Sequence, residues 1–121
     1  MRKFASIALL ALGCITNKAL AGSFECSNFT EDQLSKNTAT LNQDYMYING
    51  SIDTASLFTT AYFQKQAEIK IDPLRGHSPP EVYKAISNYC VLHPDDGVVV
   101  AVMKTVSAYA KEAIAYRSEK Q

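Results

Sequence analysis

The chain has 121 residues, with twelve basic and twelve acidic side chains and no tryptophan. That length fits one domain, and a zero formal charge gives no electrostatic case for nucleic acid. The five glycines, at 13, 22, 50, 76 and 97, are too scattered for a phosphate cradle.

Residues 1–21 read as a secretory signal peptide. Arg2 and Lys3 open it, an apolar run extends from Phe4 to Ile15, and Ala19-Leu20-Ala21 supplies the cleavage pattern. The apolar run is too short to span a bilayer. A competing processing site is Ala11-Leu12-Gly13-Cys14, a loose lipoprotein box that would lipidate Cys14. With cleavage after Ala21, residues 22–121 form a single helical domain in the periplasm. Loss of Arg2, Lys3 and Lys18 leaves nine basic and twelve acidic residues, a net of −3. In strong acid the carboxylates protonate, and the nine basic residues plus His77 and His93 give +11. Such self-repulsion loosens a small domain. Cleavage also removes Cys14, so Cys26 and Cys90 remain alone in an oxidising compartment and are expected to pair.

Thr30-x-x-Gln33 predicts a capping box opening a short first helix after Cys26. Leu41, Tyr45, Ile48, Ile52 and Ala55 then recur at steps of four and three, the spacing of one helical face. Tyr62 and Phe63 could extend it. Asn49-Gly50 between two short apolar stretches also permits a hairpin with a tight primed turn. In a helix, Gly50 costs about 1 kcal/mol relative to alanine, which predicts close approach of another element there. Residues 70–77 read as a surface loop.

Ser78-Pro79-Pro80-Glu81 is a strong helix start, with Ser78 capping, Pro79 at the first helical position and Glu81 completing a capping box. Val82, Ile86, Tyr89 and Cys90 form its expected buried face, and His93-Pro94 ends it. Asp95 or Asp96 is expected to cap the last helix. Val99, Val102, Val106, Tyr109, Ala113 and Ile114 mark a face on it, with Lys111, Arg117 and Lys120 toward its C-terminus. The valines at 98–100 also permit a strand. The preferred reading is all-α, four helices with one disulfide.

No catalytic constellation, metal set or cofactor motif emerges, so a non-enzymatic protein is expected. His77 and His93 lie sixteen apart and flank the third helix, without the spacing of metal ligands. Asn28-Phe29-Thr30 and Asn49-Gly50-Ser51 match the glycosylation sequon, which matters only in a eukaryotic secretory host. The seven tyrosines suit a protein interface or the closing of a small core without tryptophan. Tyr45, Ile48, Ile52, Val99 and Val102 are the residues expected to carry an interface with another protein.

Two families enter here. Glu25-Cys26-Ser27-Asn28-Phe29 resembles the T-C-x-x-F opening of the periplasmic acid-stress chaperones HdeA and HdeB, with Glu25 in place of the threonine. Pro80-Glu81-Val82-Tyr83-Lys84-Ala85-Ile86-Ser87-Asn88-Tyr89-Cys90 resembles their third-helix segment, and Cys90-x-x-x-Pro94 their C-x-x-x-P stretch. The resemblance implies a small HdeA-like four-helix domain whose two cysteines pair. It also implies a homodimer that opens in acid and shields acid-denatured clients. The interval between Cys26 and Cys90 is longer than in those chaperones, with extra residues around 58–75.

Tyr47-Ile48-Asn49-Gly50-Ser51-Ile52-Asp53 resembles instead the Y-I-x-G-x-x-D helix of Rap/Tai-type immunity proteins, which neutralise toxins delivered by type VI secretion. Tyr89-Cys90-Val91-Leu92-His93-Pro94 is similar to their Y-L-x-x-H-P element, with Cys90 where that pattern has leucine. That resemblance implies binding of one cognate toxin in the periplasm. The chaperone is the first expectation for function, and the immunity protein is the alternative.

Overall fold

A computed structural model describes residues 24–119, with side chains as far as 117. The signal peptide, Cys14 and Lys120 lie outside the described residues. Four helices form: α1 Cys26–Ser35, α2 Thr38–Ala67, α3 Pro79–Leu92 and α4 Val98–Glu119. No strand occurs among the described residues, only an isolated bridge between Glu25 and Gly97. The all-α, four-helix expectation holds.

α1 starts four residues before the expected capping box. Its first turn is held by another part of the chain: Cys26 N donates to Asp96 O at 2.8 Å and Ser27 N to Pro94 O at 3.0 Å. A helix's first N–H groups need such outside acceptors. Glu25 takes the N-cap position, and its N–H donates to Asn28 Oδ1 at 3.1 Å. Thr30 and Gln33 therefore lie inside the helix. Thr30 Oγ1 donates to Cys26 O, and Gln33 Nε2 reaches Ser87 Oγ on α3 at 2.8 Å.

Only Lys36, in the left-handed region at φ 55°, and the N-cap Asn37 separate α1 from α2. α2 runs unbroken for 30 residues through Asn49-Gly50, so the hairpin is excluded. It buries Ile48 and Ile52 and half-buries Leu41, Tyr45 and Ala55, the face the spacing predicted. Asp44 is buried on it as well. The helix ends at Glu68, with φ 53°.

The connector at 68–78 is more than a surface loop. Ile71 and Pro73 are buried. Thr60 Oγ1 donates to Ile71 O, and Arg117 Nη1 to Lys70 O at 2.9 Å. Ile71 alternates with charged residues, so one side chain in two can face inward even in extended backbone. α3 opens as expected: Glu81 N donates to Ser78 Oγ, Ser78 N donates to Glu81 Oε2, and Pro79 occupies the first turn. Its buried face is Val82, Ile86 and Cys90, with Tyr89 half-buried.

Neither Asp95 nor Asp96 caps α4. Gly97 O accepts from Val100 N and Ala101 N, which puts the helix start one residue later. Asp96 Oδ2 instead accepts from Tyr89 OH at 2.6 Å. α4 buries Val98, Ala101, Val102, Thr105, Val106, Tyr109 and Ala110. Its face is thus rotated from the expected one, with Val99 at 39 % exposure.

α2 lies along α4, and α1 lies along α3. Cys26 and Cys90 form the expected disulfide, with Cα atoms 4.6 Å apart, between the start of α1 and the end of α3. Phe24, Phe29, Ile48, Ile86, Val98 and Val102 surround it in one core. Phe24 meets Phe29 and Tyr47 edge to face, an arrangement aromatic pairs prefer.

Candidate functional site

Two open depressions among the described residues bear on function. The first lies between α2 and α4. Met46, Gly50, Thr54 and Phe58 recur every four residues on α2, which aligns them along one ridge. Val99, Met103 and Ser107 recur in the same way on α4. Between the two rows runs a groove of about 720 Å³, and no charged side chain lines it. Met46 is 74 % exposed, Phe58 71 % and Met103 56 %. Large apolar side chains gathered on one exposed face mark an interaction surface more often than a plain surface.

Gly50 sits in the middle of the α2 row. The close approach expected there does not occur: a Cβ at this position would meet nothing within 4 Å. The glycine therefore costs α2 helix stability without any packing return. What it does give is width, since its missing side chain keeps the groove open between Met46 and Phe58. Met103 and Met46 add flexible, polarisable walls able to conform to a docked group.

The expected interface residues fall on both sides of this surface. Ile48, Ile52 and Val102 are buried in the core, and Tyr45 is half-buried against Phe29 and Tyr83. Val99 alone of the five lines the groove. Their buried partners hold the two helices together, and the groove lies next to that seam. The sequence reading missed Met46, Gly50, Phe58 and Met103. Their signal was the second row at steps of four, one position along from the Tyr45 row.

The second depression, of about 990 Å³, is lined by Lys70, Ile71, Arg75, Tyr109, Tyr116 and Arg117 among others. His77 stands at its edge. Its ring stacks on Tyr109, with centroids 3.6 Å apart. Nδ1 lies 3.0 Å from Glu81 Oε1 and Nε2 lies 3.4 Å from Glu112 Oε2. The hydrogen bond from His77 holds the Glu81 carboxyl below its usual range. Burial, followed by the charges of Glu81 and Glu112, pushes the Tyr109 hydroxyl up. One histidine thus clamps the connector to α3 and α4. These contacts give the clamp the makings of a structural joint.

His93 stacks on Tyr89, 4.2 Å between centroids, beside the bond from Tyr89 to Asp96. The hydrogen bond to Asp96, followed by burial and the charge of Asp96, raises the Tyr89 hydroxyl. Among the described residues no group of three or more His, Cys, Asp or Glu is placed to hold a metal ion. No helix of the described residues is long and apolar enough to cross a membrane.

No family model, curated protein or solved structure matches this chain.

Proposed function

We propose that this is a non-enzymatic periplasmic protein that binds one protein partner in its folded state, in the manner of an immunity protein neutralising a periplasm-acting toxin. One observation carries the reading. Tyr47, Gly50 and Ser51, three residues of the segment resembling the immunity proteins, line the open groove. The residues that resemble the acid-stress chaperones do other work. Cys26 and Cys90 form the disulfide, and the α3 segment supplies the core with Val82 and Ile86. Those features specify a fold, and a fold is compatible with many functions.

An uncharged groove between two helices suits an apolar side chain or a short helix from the partner. The test is protection. The genes flanking this one are screened for a periplasm-active toxin, the chain is co-expressed with each candidate directed to the periplasm, and cell survival is measured. Wild type should protect. Met103→Lys places a charge in the groove and Gly50→Leu fills it, and each should abolish protection without lowering the melting temperature. Protection that persists in both variants would overturn the assignment of the groove.

A second reading, an acid-stress chaperone, has its own support. The bond from His77 to Glu81 relies on an ionised carboxylate, and acid removes it. The connector would then loosen and uncover apolar surface for acid-denatured clients. Light scattering of a client protein at about pH 2–3, where carboxylates protonate, separates the two readings. Suppression at several-fold molar excess favours the chaperone.

A further inference from the structure

We propose that Asp32 and Asp44 form a proton-held latch between α1 and α2, closed in mild acid and released at alkaline pH.

Asp44 is an unusual residue to find inside this domain. It is 8 % exposed, on the α2 face that carries Ile48 one turn later. Its Oδ2 is buried without any hydrogen-bond partner. A buried carboxylate normally keeps its charge only beside a cation or several N–H donors. The group beside Asp44 is another carboxyl, that of Asp32 on α1. A second carboxyl beside a buried one makes ionisation of Asp44 costlier still, so Asp44 holds its proton.

The charged surroundings are sparse. Among the described residues, Asp32 is the one charged group acting on Asp44 from the neighbouring helices. Along α2 the nearest charged residue is Asp53, more than two turns away. Burial is the largest influence, followed by the hydrogen bond and then the charge of Asp32. Together they push the Asp44 carboxyl from 3.8 up to about 7. That difference corresponds to a proton affinity about a thousandfold above the ordinary one.

The sign is the reverse of the usual carboxylate. Folding favours the protonated form, so the contribution is full below 3.8 and is lost as the pH rises through about 7. Above that, two negative charges face each other across the junction. α1 cannot yield, because the disulfide and the bond from Gln33 to Ser87 fix it to α3. The opening must fall on the first turns of α2, which hang from a junction of two residues, Lys36 and Asn37. Asparagine at 44 would hydrogen-bond at every pH. Aspartate makes the junction respond to protons.

The experiment follows carboxyl carbon NMR and melting of the purified protein from about pH 5 to about pH 9, alongside amide exchange in residues 38–45. Asp44 should titrate near neutrality, the melting temperature should fall across that range, and exchange in the first turns of α2 should rise with it. Asp44→Asn should flatten the melting profile and silence the exchange response. Should that variant fail to fold, Asp32→Asn decides: removal of the like charge should shift the Asp44 titration downward. An Asp44 that titrates in the ordinary carboxylate range, or one unmoved by Asp32→Asn, overturns the latch.

Discussion

Gly50→Ala should stabilise this protein. Gly50 lies in the interior of α2, at an exposed position with ordinary helical backbone, since among the described glycines only Gly76 has positive φ. An added Cβ meets no atom within 4 Å, so neither clash nor new packing enters. What remains is helix propensity, about 1 kcal/mol in favour of alanine, much of it from restricting the unfolded chain. For a domain of this size that corresponds to a rise of about 4–8 °C in melting temperature. Thermal unfolding followed by circular dichroism reads it directly. Gly76→Ala is the matched control. Gly76 sits at φ +84° with equally open surroundings, and a side chain in the left-handed region costs about 1–2 kcal/mol. The same substitution should therefore move the two melts in opposite directions. A Gly50→Ala protein that melts at or below wild type would refute the reasoning and reinstate a close contact at this position.

Three further outcomes are expected. Ile48→Ala removes a fully buried side chain from the face of α2 that enters the core, and should cost about 2–5 kcal/mol in urea unfolding; a loss below about 1 kcal/mol would mean that α2 is not seated as described. Opening the Cys26–Cys90 bond, which closes a separation of 64 residues, should remove about 4 kcal/mol in the chain-entropy picture, and matching denaturation curves with and without reductant would contradict it. Glu81→Gln keeps the cap of α3 but deletes the charge facing His77. The folded Glu81 carboxyl lies below 4.5, so its contribution is present above that pH and disappears as the pH falls through the folded value. The variant should show a flatter acid decline in melting temperature than wild type, and parallel declines would exclude the clamp as an acid-sensitive joint.

The helices were legible because their signals are local. Ser78-Pro79-Pro80-Glu81 carries its cap within four residues, and the Tyr45, Ile48, Ile52 spacing declares the buried face of α2. The failures have a common origin in partners distant along the chain. Thr30 and Gln33 match a capping box, but carbonyls at 94 and 96 had already fixed the helix start at Glu25. Asp96 resembles a cap until Tyr89 claims its carboxylate. Nothing local in the sequence marks Asp44 as buried; its burial comes with the packing that brings Asp32 of α1 beside it. The groove between α2 and α4 was hidden for a different reason. Half of its α2 row is Gly50 and Thr54, and a hydrophobicity pattern does not register small residues whose contribution is the space they leave.

The corner where α1 begins also orders events in time. Phe24 to Ser27 are bonded to residues 94–98 through Cys26 N, Ser27 N and Val98 N, and Cys26 is joined to Cys90. Chains are made from the N-terminus, so the first-made of these groups must wait for partners about seventy residues behind them. α2 is complete in the meantime and exposes Ile48 and Ile52 without α4 to cover them. Contacts of such long reach are slow to form. The corner of the domain therefore closes late, and a nascent chain lacking residues 94–98 has an α1 held only by its local cap at Glu25 and Asn28 and an α2 with its apolar face bare.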